Sequence, residues 1–309
     1  MSDVPPATRG VPAAGVAAAT VRPRPGGSFL ADAWAELIRR PLFVISAIVV
    51  LLVLALVTDP APFAGLFGHG DPRLCNLADS DGGPASGHPF GFDVQGCDLY
   101  ANVIYGARPT VTTGLLVTAG SLVLAVVLGS AAGYLGGVVD TVIGRVADVF
   151  FGFPFMLGAL VILTVTPDRN VLTVSMVLVI FGWPVMTRLT RATVLGEARR
   201  DYVLAARGLG ASNLRIMRKH ILPNALAPVI VYATITVGGV MVAEATLTFL
   251  GVGLQPPAIS WGLELAAAQR QFLRYPHLLI FPGLFLTATV FGFITLGDTL
   301  RDALDPRLR

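Results

Sequence analysis

Six long apolar runs constrain this chain more than any other feature of its sequence. The first, "PLFVISAIVVLLVLALVT", extends uncharged from Pro41 to Thr58 behind Arg39 and Arg40. Five more lie at roughly 110–135, 147–166, 171–188, 225–250 and 278–298. Each approaches the ~20 residues that carry a helix through ~30 Å of hydrocarbon. The expected fold is therefore all-α and membrane-integral, with six transmembrane helices. Composition points the same way, because 54% hydrophobic and 13% charged residues leave too little charge to cover a soluble domain of 309 residues. Twin arginines before an apolar run can mimic an export signal, but five further spans favour a retained first helix.

Six spans put both termini on one side, and charge decides which. The segment between the fourth and fifth runs carries Arg188, Arg191, Arg199, Arg200, Arg207, Arg215, Arg218 and Lys219 against Glu197 and Asp201. The loop after the first run is acidic, with Asp59, Asp71, Asp79, Asp81, Asp93 and Asp98 against Arg73. The Lys/Arg excess places the basic segment and both termini in the cytoplasm. Residues 1–28, rich in Pro, Ala, Gly and Arg, read as a disordered cytoplasmic tail. Residues 29–108 form the first helix and an extracytoplasmic loop. Residues 109–309 form the core, with the basic loop at about 189–224.

Gly129, Gly133 and Gly137 recur every four residues, a flat strip against which another helix can approach closely. Pro154, Pro184 and Pro282 fall in or near spans, where kinks are ordinary. Lys219 is the single lysine and stands between Arg218 and His220. A phosphate-cradling loop needs Gly-Lys-Ser/Thr, so the chain has no Walker A sequence of its own.

The basic segment holds "DYVLAARGLGASNLRIMRKHILPN" at 201–224. Tyr202, Ala205, Ala206 and Leu209 share one helical face, with Asp201 as an N-cap and Gly208 or Gly210 as a stop. A second helix can restart behind Ser212, with Leu214, Met217 and Ile221 as its apolar stripe, and Pro223 closes it. Two short amphipathic helices joined by a tight turn are expected. Contact with anionic lipid headgroups is the plain alternative for such a segment.

This segment resembles the cytoplasmic loop of ABC importer permeases, whose pattern is EAA, three residues, Gly, nine residues, I-x-L-P. Gly210 aligns with the glycine, Leu204-Ala205-Ala206 with EAA and Leu222-Pro223 with the final pair; Leu204 and His220 depart from the pattern. "HPFGFDVQGCDLYANVIYGAR" at 88–108, "AEATLTFLGVGLQPPAISWG" at 243–262 and "LGDTLRDALDPRLR" at 296–309 resemble the dipeptide/oligopeptide/nickel subfamily, second-permease (C-type) subunit. The resemblance covers roughly residues 29–309. It implies a type I ABC importer permease fold and the import of short peptides, with nickel or another small solute as the alternative. The chain would use no cofactor itself, while ATP and Mg would be used by partner subunits. Partners implied are a second related permease, ATP-binding subunits or one fused ATPase chain, and an extracytoplasmic binding protein, in the bacterial cytoplasmic membrane and without nucleic acid. Tyr202, Ala205, Ala206, Leu209, Gly210 and Pro223 would then form the coupling helix and its turn.

Cys75 and Cys97 are the only cysteines and both fall in the acidic loop, so a disulfide is expected, against the alternative of two unrelated thiols. No metal-ligand spacing is present around His88, and no metal site is expected. Glu244 lies within the fifth run, where a carboxylate is expensive and a functional candidate by default. It is open to lining a pathway or gate, pairing with a neighbouring subunit's arginine, or capping an interrupted helix. Two other classes compete: an ion-driven carrier, for which inverted repeats are missing, and a membrane enzyme, for which no metal cluster or Ser/His/Asp set stands in the spans.

Overall fold

The computed structural model of the chain describes residues 37–68 and 70–304. The tail at 1–28 and His69 lie outside the described residues. Among them, five helices are long and apolar enough to cross a membrane, and a bent pair supplies a sixth if counted as one span.

Helix α1 (Pro41–Thr58) opens on a proline whose missing N–H would have had no partner in a first turn. Helix α2 (Leu99–Leu135) starts eleven residues before the expected 110. Its N-cap is Asp98, whose carboxylate accepts the Tyr100 N–H at 2.9 Å, and Pro109 sits inside it without ending it. A π turn at Ala125–Gly129 widens the helix before it resumes.

The run expected at 147–166 is not one helix. It is α3 (Gly137–Gly152) followed by α4 (Phe155–Val165), bent by 80°. Pro154 is the cause: the residue before a proline is pushed out of the helical region, and Phe153 is extended at φ −100° and ψ 126°. Helix α5 (Val171–Glu197) is capped by Asn170, which accepts the Thr173 N–H at 3.0 Å. After α6 (Asp201–Gly208) come α7 (Ala227–Phe249), the short α8 (Trp261–Ala268) and α9 (His277–Leu304).

Two apolar cores hold the bundle. Val50, Ile104, Met241, Trp261 and Phe293 join α1, α2, α7, α8 and α9. Val117, Ala159, Leu163, Leu178 and Leu247 join α2, α4, α5 and α7. The segments 59–98 and 250–276 meet at one end around a shared cavity, and there Phe90 stacks on Phe281 of α9 at 4.0 Å. The other end gathers the turn after α2, residues 198–226 and the outer ends of α1 and α9. There Tyr134 Oη donates to Asn213 Oδ1 at 2.9 Å, and Arg40 approaches Asp302 at 3.5 Å.

The glycine strip divides in its use. A Cβ on Gly129 would stand 2.7 Å from Thr190 Cβ, and one on Gly133 would stand 2.8 Å from the Arg191 carbonyl oxygen. Both glycines therefore let α2 lie directly on α5. Gly137 touches nothing within 4 Å and instead makes a turn at φ +54°. Gly129→Ala should force the two helices apart and cost about 1–3 kcal/mol, the usual range for overpacking. Thermal unfolding in detergent checks this, with Gly144→Ala, where a Cβ meets open space, as the neutral control.

Candidate functional site

The segment 198–226 folds as a compact unit beneath α5. Helix α6 begins with Asp201 inside it and Arg200 at the cap position, one residue earlier than expected. It ends through a Schellman turn: the Ala211 N–H reaches the Ala206 carbonyl at 3.1 Å, and the Gly210 N–H reaches that of Arg207 at 3.0 Å. Gly210 holds the left-handed position at φ +80°, where a side chain would be strained. Ala206 and Ala211 pack together beneath the turn.

The expected second helix is present, unbroken from 213 to 225, with a π turn at Met217–Ile221 inside it between Asn213–Ile216 and Leu222–Ala225. Ser212 stands at the cap position but makes no side-chain cap. The buried stripe is Ile216 and Ile221 with Val203, Val194 and Ala225, whereas Leu214 is 67% exposed. The π turn accounts for the difference, because its extra residue shifts the 3.6-residue register on which Leu214 was placed. Pro223 opens the last turn rather than closing the segment.

A polar contact ties this unit to α5, where Tyr202 Oη donates to Glu197 Oε2 at 2.5 Å, and within the unit Asn224 Nδ2 donates to the His220 carbonyl at 2.7 Å. Burial, and then the neighbouring Glu197 carboxylate, hold the Tyr202 phenol above its ordinary range, so it stays a neutral donor. Tyr202, Ala205 and Leu209 remain exposed, Leu209 to 89%, and Ala206 is half-buried. The outer surface of α6 therefore presents Tyr202, Ala205 and Leu209 beside the exposed charges of Asp201 and Arg207, and it faces away from the chain. Asn224 was missed in the sequence, since its partner is a backbone carbonyl four residues earlier.

At the opposite end, Cys75 and Cys97 form a disulfide. Closing a loop with a separation of 22 residues contributes about 3 kcal/mol on the chain-entropy argument. Cys97 leads directly into the Asp98 cap of α2, and Asp93 accepts the N–H groups of Gln95 and Cys97, each at 2.8 Å. The disulfide thus fixes the entry to α2.

Beside it lies a cavity of about 530 Å³, bordered by Arg73, Asp93, Asn102, the Pro256-Pro257 turn and Glu264 of α8. Burial, with Asp93 nearby, raises the Glu264 carboxyl from 4.5 to about 8, so it carries its proton at neutral pH. A carboxyl raised on folding costs stability as pH climbs through that window, because the folded state holds the extra proton. Thermal stability should therefore fall between about pH 5 and 8 through this group, and Glu264→Gln should flatten that slope when melting is followed against pH.

Glu244 lies in the chain's own interior, 0% exposed. Its Oε1 accepts the Thr248 hydroxyl at 2.8 Å, and Thr248 Oγ1 in turn accepts the Leu254 N–H at 3.0 Å. The Thr110 hydroxyl of α2 borders the same carboxyl and accepts the Trp261 N–H at 3.3 Å. Glu244 thus links α7, α2 and the 250–261 loop. Among the described residues no group of three or more His, Cys, Asp or Glu side chains is arranged to hold a metal ion.

Residues 125–309 match the family of binding-protein-dependent transport system inner membrane components. The chain is 36% identical over 263 residues to the oligopeptide transport system permease protein OppC of Bacillus subtilis (strain 168), covering 85% of this chain and 86% of that protein. It is 35% identical over 287 residues to the dipeptide transport system permease protein DppC of the same strain, covering 93% and 88%. The glutathione transport system permease protein GsiD of Pectobacterium atrosepticum is 35% identical over 227 residues, covering 74% and 75%. With an all-helical bundle, spans of membrane length and a match over more than half its residues, the chain belongs to the binding-protein-dependent transport system inner membrane component family.

Proposed function

We propose that this chain is the membrane-spanning subunit of an ATP-driven importer that moves short peptides into the cytoplasm. The observation that carries the reading is helix α6, whose exposed face is held out from the bundle by its own buried core and Schellman turn. Its exposed residues Tyr202, Ala205 and Leu209, with half-buried Ala206, dock in a cleft of a separate ATP-binding subunit, and Gly210 and Pro223 shape the turns behind them. The peptide relatives support the cargo class. The glutathione relative extends it to a small peptide-like solute.

In this reading α3 and α4 count as one span, giving six, with both termini and the α6 segment in the cytoplasm under the positive-inside rule. The membrane is the bacterial cytoplasmic membrane. ATP and Mg are used by partner ATPases, two chains or one fused, and this chain binds no cofactor. A second, related permease completes the pore, and a binding protein delivers substrate to the 59–98 and 250–276 end. Residues 29–108 supply the first helix and that outer loop, and residues 109–309 the core. Glu244 acts as an internal brace for the outer loop, a reading supported by its complete burial and its partners within the chain.

The test is affinity purification of the tagged chain from its native membrane with stoichiometric identification of its companions. A related permease and Walker-motif ATPase domains are expected. Purification as a lone chain or homodimer without ATPase would overturn the reading and turn α6 into a lipid-facing loop of an ion-driven carrier.

A further inference from the structure

Helix α3 is attached to the bundle unlike any other long helix. It enters through Gly136 and Gly137, both at positive φ (+64° and +54°), and leaves through the 80° bend at Pro154. Ala147 is its one fully buried residue. A Cβ added to Gly136, Gly137, Gly144 or Gly152 would meet nothing within 4 Å. Its helical pattern is also reversed relative to a core helix, because Val138, Val142, Val146 and Val149 are exposed while Asp140 and Asp148 turn toward the chain.

What holds α3 is α5. Arg191 grips Asp140 with two guanidinium nitrogens, the Nη2–Oδ2 bond being 2.6 Å. Arg188 reaches Asp148 at 2.5 Å and lies 3.9 Å over the Phe151 ring. The Phe150 ring meets Trp183 at 5.5 Å and Phe181 at 6.0 Å. The acids are two turns apart on α3, and the arginines occupy successive turns near the end of α5.

That end of α5 is the part seized by the α6 segment. Val194, one turn beyond Arg191, is buried with Val203, Ile216, Ile221 and Ala225, and Glu197 takes the Tyr202 hydroxyl. Helix α5 is continuous from Val171 to Glu197, so a displacement of the α6 segment moves Arg191 and Arg188 with it. Both ion pairs are partly exposed, with side-chain exposures of 40% and 26% for Arg191 and Asp140 and 54% and 51% for Arg188 and Asp148. Pairs open to solvent contribute little each and separate readily.

We propose that Arg191 and Arg188 are positioning residues that latch the hinged helix α3 to α5, so that movement of the coupling segment is passed to α3 through them. This rests on the importer reading above. The experiment uses the complete complex, with its co-purifying permease and ATPase, in proteoliposomes where peptide uptake and ATP hydrolysis are measured together. Asp140→Asn and Arg191→Gln should each lower uptake per ATP hydrolysed by about three- to thirtyfold, the span seen for residues along a coupling path, with complex composition unchanged. The reversed pair, Asp140→Arg with Arg191→Asp, should recover most of the loss, whereas a merely structural role would change yield and not the ratio. Should the Asp140 variants fail to assemble, Asp148→Asn at the more exposed pair should show the same fall in ratio. An unaltered ratio in the assembled single variants, or a reversed pair no better than the singles, overturns the latch while leaving the importer reading intact. A wild-type complex that hydrolyses ATP without any uptake overturns both.

Discussion

Glu244→Ala should destabilise the chain by about 3 kcal/mol or more, while Glu244→Gln should retain most of the stability. The alanine variant removes the acceptor of the buried Thr248 hydroxyl and empties the volume of a carboxymethyl group at a site with no solvent access. The loss spreads along the chain of bonds, because Thr248 holds the Leu254 N–H and the surrounding loop fits tightly. A Cβ on Gly253 would fall 2.2 Å from Thr248 Oγ1, and one on Gly262 would fall 2.9 Å from Thr248 Cβ, so the loop has no room to repack. Glutamine keeps an oxygen for Thr248 and offers an amide N–H₂ toward Thr110, so the brace survives. The measurement is detergent-solubilised melting of both variants, together with protease accessibility of the 250–261 loop. Equal melting of Glu244→Ala and wild type would remove the brace role and return Glu244 to the list of pathway residues.

The parts of this architecture that were legible in the sequence are those set by local chemistry. Long apolar runs marked α1, α5, α7 and α9, because a helix in lipid advertises itself by length and hydropathy. The Gly-Leu-Gly break marked the end of α6, because only glycine sits easily at φ +80°. The start of α2 was missed although Asp98 is a good N-cap, since Asn102, Arg108 and Pro109 make its first turns look like loop. Their place in the helix comes from burial of Tyr100, Ile104 and Ala107 against the first and last helices.

The break at Pro154 was visible as a residue but not as an 80° bend, because a proline ends the helix without fixing the angle at which the next one sets off. The pairing of Asp140 with Arg191 spans 51 positions and leaves no local trace. Nor does a sequence show that Leu214 is turned out and Ile216 in, because a π turn resets the register without a distinctive residue. In the outer loop, the two cysteines were conspicuous, but the partnership of Asp93 and Glu264 across a cavity was not.

The 198–226 segment carries the second large expected effect. Gly210→Trp should abolish peptide uptake while the chain still inserts in the membrane. Two costs combine at this position. Any residue with a Cβ is strained in the left-handed region by about 1 kcal/mol, so Gly210→Ala should give a modest loss and Gly210→Asn, which tolerates that region, a smaller one. The tryptophan adds bulk beside Leu209, on the exposed side of the turn where nothing in the chain itself stands within 4 Å of a Cβ. Folding of the chain therefore has space for the ring, but a partner seated against α6 does not. The order of uptake should be glycine, asparagine, alanine, then tryptophan near background, with membrane yield much less affected. Transport assays on vesicles normalised for complex content read this order directly. Uptake by Gly210→Trp equal to that of Gly210→Ala would mean that backbone strain explains the whole effect and that no partner packs against this turn. Loss of membrane insertion in the tryptophan variant would instead show that the turn is required for folding before any docking takes place.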